Sequence, residues 1–133
     1  MEFIIKWKDI EPVVIMKHLE PSQFDKSVSL KQKTLVMFYA DWCPFCQRFK
    51  PLFEQRYVQL NEKPSTLKLY ACKLNEDENP LWEKFSINAV PTLIAFGGSK
   101  EDGNQIISRR DAKSGIGLTK YDLDSIIEEV NKD

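Results

Sequence analysis

Six consecutive apolar residues, Leu35-Val36-Met37-Phe38-Tyr39-Ala40, run directly into Asp41-Trp42-Cys43-Pro44-Phe45-Cys46. A strand that is apolar at every position must be covered on both faces, so the chain needs a sheet with helices on either side of it. A helical pattern follows at once. Phe45, Phe49, Leu52, Phe53, Arg56 and Tyr57 recur at three- and four-residue spacing, predicting an amphipathic helix from Pro44 to about Leu60. Pro51 falls inside that helix, where its missing donor and its clash with the preceding turn predict a kink. Cys43 and Cys46 therefore stand where a buried strand ends and a helix begins.

Further strands are expected at Val13–Lys17, Leu67–Cys72, Thr92–Phe96 and Gln105–Ser108, beside the central Thr34–Ala40; all are short, rich in branched and aromatic residues, and bounded by turn formers. Pro21-Ser22-Gln23-Phe24 opens a short helix running to about Val28. Asn79-Pro80-Leu81-Trp82-Glu83-Lys84-Phe85 reads as another, with Asn79 as N-cap and Pro80 in the first turn. The last helix begins near Thr119, with Asp122 three residues on as a variant capping box and Leu123, Ile126, Ile127 and Val130 as its apolar stripe. Gly97-Gly98 and Asp102-Gly103 are turn signals joining the last two strands as a hairpin. The expected order is β-α-β-α-β-α-β-β-α, an α/β mixed sheet with helices on both faces and an antiparallel edge.

A chain of 133 residues is one domain, large enough for a real core. With 19 Lys+Arg against 20 Asp+Glu the net charge is -1, which excludes the broad basic face of a nucleic-acid binder. The six-residue apolar run is far short of the roughly 20 residues a bilayer span requires, so no membrane association is expected. Met1-Glu2-Phe3-Ile4-Ile5-Lys6 lacks the basic start and long apolar stretch of a secretory signal, and a cytoplasmic location is the expectation. Three cysteines do not make a disulfide scaffold.

At a strand-to-helix junction, unpaired backbone N–H groups and the positive end of the helix dipole stabilise an anion. A thiol in the first turn is thereby biased toward thiolate, the nucleophilic form. Cys43, at the helix mouth, takes the attacking role; Cys46 lies one turn later on the same side, close enough to attack a mixed disulfide formed at Cys43. Two other readings of C-x-x-C stand beside this one. A zinc half-site would need four ligands, and Cys72 and His18 offer only two more at unrelated spacings. A pair of buried, reduced cysteines acting as small hydrophobes would need no junction at all. Elsewhere, Cys72 reads as a packed core thiol, His18 as an exposed histidine without a partner, and Glu76-Asp77-Glu78 and Arg109-Arg110 as solvated charge runs.

The stretch Leu35 to Pro51, with Trp42 directly before Cys43, the C-x-x-C pair and a proline five residues after Cys46, resembles the active-site segment of the thioredoxin family. Lys73-Leu-Asn-Glu-Asp-Glu-Asn-Pro80 is similar to that family's loop after the third strand, and Phe85-Ser-Ile-Asn-Ala-Val-Pro-Thr92 to the segment carrying its cis-proline. The resemblance runs from about Val13 to Val130 and implies a thioredoxin fold over residues 13–133, preceded by an N-terminal extension, 1–12. It implies that Cys43 is the exposed nucleophile and Cys46 the buried resolving thiol. Trp42, Pro44, Phe45, Val90 and Pro91 form the implied substrate-facing set, with Pro91 cis and the Val90 backbone pairing with a client chain. Alone, Pro91 reads as a strand-initiating proline and Trp42 as a core aromatic. Lys73 matches a family lysine whose ammonium points toward the buried thiol. The loop Ser114-Gly115-Ile116-Gly117-Leu118 is similar to one flanking the docking surface, with two candidate glycines for one position.

Two departures bear on mechanism. Met37 stands where the family carries a buried carboxylate, and Pro-Phe separates the cysteines in place of Gly-Pro. Potentials in this group run from about -270 mV for thioredoxin to about -120 mV for DsbA, a span of about 7 kcal/mol set largely by stabilisation of the first thiolate. Loss of the Gly-Pro pair predicts an intermediate poise. The implied activity is thiol–disulfide exchange on protein disulfides by a monomer needing no cofactor and no metal, with a disulfide reductase as electron donor. A disulfide oxidase or isomerase of the same fold, and a redox-inactive binding module, are the alternatives.

Overall fold

The computed structural model describes residues 16–28, 33–61, 67–97 and 105–131. The N-terminal extension and the loop between the last two strands lie outside them. In chain order the elements are α1 (Pro21–Ser27), β1 (Lys33–Tyr39), α2 (Pro44–Asn61), β2 (Leu67–Lys73), α3 (Leu81–Lys84), β3 (Thr92–Gly97), β4 (Gln105–Asp111) and α4 (Lys120–Asn131). The strands form a mixed sheet in the order β2-β1-β3-β4. β1 runs parallel to β2 and antiparallel to β3, and β3 pairs antiparallel with β4. The apolar run thus occupies a central strand, and its side chains from Thr34 to Tyr39 are buried on both faces.

One face is closed by aromatic packing. Phe24 of α1 lies 6.1 Å from Phe38, 5.0 Å from Phe85 and 5.4 Å from Phe96, ring centre to ring centre. On the other, α2 packs on β2 and against α4, which covers β3 and β4. Phe49 and Phe53 of α2 and Leu123, Ile126, Ile127 and Val130 of α4 are buried there, as the spacing predicts. Pro51 sits within α2 without ending it.

Three expectations are corrected. Residues 13–15 of the expected first strand lie outside the described residues, and Met16 and Lys17 are not strand; pairing falls instead on His18, which bridges Ala71 in parallel, with Ala71 N donating to Lys17 O (3.0 Å) and Leu19 N to Ala71 O (2.9 Å). The capping box of Glu20 and Gln23 turns the chain into α1 straight afterwards, leaving room for no more. β4 runs on to Asp111, and Arg109-Arg110 is not a merely solvated run: Arg109 donates to Phe85 O (2.9 Å), while Arg110 meets Glu129 (2.8 Å) and Ser125 (3.0 Å) of α4. Pairing with β3 carries the strand onward, and these partners accept its charges. α3 begins at Leu81 with Pro80, not Asn79, as its N-cap, so Pro80 lies outside the first turn, although Asn79 Oδ1 does accept the Leu81 N–H at 2.9 Å.

Candidate active site at the head of α2

Local hydrogen bonds hold the turn between β1 and α2. Cys43 N donates to Ala40 O (3.3 Å), and Cys43 O accepts the first helical bond from Gln47 N (3.0 Å). Cys43 is therefore the residue on which the helix starts, with the free N–H groups of the first turn beside it. Asn75, from the loop after β2, clamps the preceding residue: Asp41 N donates to Asn75 Oδ1 (2.8 Å), and Asn75 Nδ2 donates to Asp41 Oδ2 (3.0 Å). Gln47 Nε2 adds a bond to Asp41 O (3.0 Å). The hydrogen bond from Asn75, assisted by Lys73, holds the Asp41 carboxyl below its usual range. Nothing in the sequence marks Asn75 or Gln47 for this task, because both bonds depend on how the loop meets the helix.

Both thiols are free. Cys46 is 2% exposed, and burial pushes its thiol up to about 12; a backbone hydrogen bond from Ala40 acts the other way, while the Cys43 thiol adds to the rise. Cys43 is 6% exposed, which corrects the expectation of an open nucleophile. The physical reason is a contact: Cys43 Sγ donates to Val90 O at 3.4 Å, so the thiol is turned against the segment before Pro91. The Val90–Pro91 bond is cis, and both residues are buried. The nucleophile and the backbone implied to receive a client are thus in direct contact.

Trp42 is 57% exposed, its indole Nε1 donating to Asn75 O (3.2 Å), so it lies on the surface and not in the core. Pro44 is exposed, whereas Phe45 is half-buried, with the Arg48 guanidinium 5.1 Å from its ring centre and Gly117 close against its side chain. Lys73 pairs with Asp41 at 3.3 Å, an exposed contact at the rim. Met37 is fully buried in β1, paired with Ala71 on one side and Leu93 on the other.

Cys46 also borders a cleft of about 230 Å³ lined by Tyr39, Asp41, Lys50, Pro51 and Glu54. Tyr39, one of the residues lining this cleft, has its hydroxyl 2.7 Å from His18 Nε2. His18 is exposed, as expected, but not partnerless. No pattern in the sequence joins a histidine before α1 to a tyrosine ending β1; the β2 register that places Ala71 next to both segments does so.

The Thioredoxin family model matches residues 15–119. Protein disulfide-isomerase 1 of Dictyostelium discoideum is 33% identical over 116 residues, covering 86% of this chain and 29% of the isomerase. A thioredoxin of Rickettsia bellii is 33% identical over 98 residues, covering 73% of this chain and 77% of that protein. Thioredoxin f2 of Chlamydomonas reinhardtii superposes with a TM-score of 0.68 at 16% identity, over 90% of this chain and 99% of the other. The chain spans only 20–29% of the length of the disulfide isomerases it matches.

Proposed function

Because this chain belongs to the thioredoxin family, we propose that it is a dithiol–disulfide oxidoreductase acting on protein disulfides through Cys43 and Cys46. The observation that carries this reading is the placement of two free thiols one helical turn apart at the start of α2, the outer one against the Val90 carbonyl. A helix N-terminus favours an anion beside it, which suits the Cys43 thiolate before attack; on attack its charge passes to the departing client sulfur.

The exchange balances without a cofactor. Cys43 thiolate attacks one sulfur of a client disulfide; the Cys43–client bond forms, the client S–S bond breaks, and the released client thiolate takes up a proton. Cys46 thiolate then attacks Cys43 Sγ, closing the Cys43–Cys46 disulfide and expelling the second client sulfur. The client gains two electrons and two protons, and the pair becomes oxidised until a reductase returns it. A client strand lying along Val90 would gain main-chain hydrogen bonds independent of its side chains. Trp42, Pro44 and Phe45 supply the neighbouring surface.

The test is a Cys46→Ser variant, which is expected to accumulate mixed disulfides with client proteins that reductant releases. Wild-type protein is expected to speed dithiothreitol-driven reduction of insulin. No trapped adduct together with no insulin reduction would leave a binding module as the better reading.

A further inference from the structure

Resolution of a mixed disulfide requires the Cys46 thiol to give up its proton in a buried place. Met37, on the same face of β1 as Tyr39, is apolar and can take no part. Of the protonatable groups in the cleft, Asp41 is committed to Asn75 and Lys73, and Lys50 is a cation whose ammonium lies 5.2 Å from the Tyr39 ring centre. Glu54 lines the same cleft, but its backbone stands eight residues along α2 from that of Cys46, about 12 Å of axial rise at 1.5 Å per residue. Tyr39 remains. Burial, with the charges of Asp41 and Glu54, pushes its hydroxyl up to about 12, so it stays a neutral phenol.

The direction of its hydrogen bond follows from the imidazole's other nitrogen. His18 Nδ1 lies 3.0 Å from Met16 O, an acceptor only, so Nδ1 carries the proton in the neutral ring. Nε2 then accepts the Tyr39 O–H at 2.7 Å. A phenol bonded in this sense keeps its oxygen lone pairs for a donor on the cleft side. At about 30 Å³ per water, the cleft that Tyr39 and Cys46 both line has the volume to hold water. A neutral imidazole nitrogen can take up a proton, and this chain has one histidine.

We propose that His18, acting through the Tyr39 hydroxyl, receives the proton of Cys46 when that thiol attacks Cys43; the inference rests on the oxidoreductase reading above. Cys46 S–H passes its proton over water to the Tyr39 oxygen as Tyr39 passes its own to His18 Nε2. The products are the Cys46 thiolate, an unchanged phenol and an imidazolium. The thiolate forms the bond to Cys43 Sγ, the Cys43–client bond breaks, and the client sulfur leaves with the electron pair and is protonated from solvent. His18, exposed beside Glu20 and Lys73, returns its proton to water. Tyr39 and His18 are positioning residues: neither touches the client.

The aryl disulfide dithiobis-nitrobenzoate separates the two thiols. Attack by Cys43 releases one coloured thiolate, and attack by Cys46 on the mixed disulfide releases the second. In Tyr39→Phe and His18→Ala, the second release is expected to slow about 100-fold at neutral pH, the low end of general acid–base effects. The first release should keep its wild-type rate. The deficit should shrink as the pH rises and hydroxide removes the proton unaided, and added imidazole should restore the second release in His18→Ala. A second release that is unchanged, or slowed equally at every pH, or slowed together with the first, overturns the relay. A wild-type protein showing no first release would overturn the oxidoreductase reading, and the relay with it.

Discussion

Gly117 lies so close to Phe45 that a Cβ built on the glycine would sit 2.8 Å from the Cβ of the phenylalanine. The aromatic between the two cysteines is thus held from the side by a backbone that has no side chain to spare. Gly117 and Lys113 exchange both backbone hydrogen bonds, N to O at 2.8 and 3.0 Å, so this turn is itself anchored. Of the two glycines that the sequence left as candidates beside the site, this is the one that meets it; Gly115 faces open space.

Both glycines have φ +76°, where a side chain costs about 1–2 kcal/mol. Gly115→Ala should therefore cost only that, and leave insulin reduction near wild type. Gly117→Ala should cost at least about 1 kcal/mol more, because overpacking adds to the backbone penalty, and should impair reduction by displacing Phe45 from the head of α2. Denaturant unfolding and the insulin assay on both variants decide it; equal losses would mean that Phe45 moves freely.

The redox poise should lie between the thioredoxin and DsbA values, above about -270 mV and below about -120 mV. Pro-Phe between the cysteines, in place of Gly-Pro, motivates this expectation. Equilibration in thiol–disulfide buffers, read by mass spectrometry, measures it. A value at or below that of thioredoxin would contradict it.

Asp122 joins α4 to the turn that carries Gly117. Its Oδ2 accepts from Thr119 N (2.8 Å) and Thr119 Oγ1 (3.0 Å), its Oδ1 meets Lys113 Nζ (3.2 Å), and its own N–H donates to Thr119 Oγ1 (3.3 Å). Burial works to raise this carboxyl, but the Thr119 backbone bond, with Lys113 and the Thr119 hydroxyl, holds it below its usual range. A depressed carboxyl adds stability above its unfolded value, about 3.9, and that stability is lost as pH falls through the folded value. Asp122→Ala should cost about 1–2 kcal/mol at neutral pH, with the gap to wild type closing below about pH 4. Urea titrations across that range test this; a gap that persists in acid would assign the loss to packing.

At the alkaline end the sign reverses. Burial pushes the Cys46 and Cys72 thiols from 9.0 up to about 12, and the Tyr39 phenol from 10.0 to about 12. The folded state holds these protons more tightly than the unfolded chain, so their contribution is complete below about pH 9 and lost as pH rises toward 12. Cys72 is fully buried and outside the site, so Cys72→Ala isolates one share. Whatever that variant loses at neutral pH, its stability should decline less steeply than wild type between about pH 9 and 11. Parallel declines would place the alkaline sensitivity elsewhere.

Asn79 and the Thr119–Asp122 box show how far local chemistry reads from sequence: each acts within three residues, the box forming as read and Asn79 bonding Leu81 N from one residue before the cap position. The pairing at His18 rather than at Met16 and Lys17, and the lengthened β4, show where it fails, since strand ends depend on the neighbour that pairs with them.

By itself the sequence determined a two-sided sheet, because Leu35–Ala40 offers no face to water, and a thiol pair at a helix head, because C-x-x-C spans one helical turn. Only the tertiary structure decided that Cys43 turns onto Val90, that Gly117 braces Phe45, and that His18 reaches Tyr39 beside the Cys46 cleft. The physical reason is range. Caps and periodicity are set between residues a turn apart, whereas these contacts join segments far apart in the chain and exist only once sheet register and helix packing have brought them together.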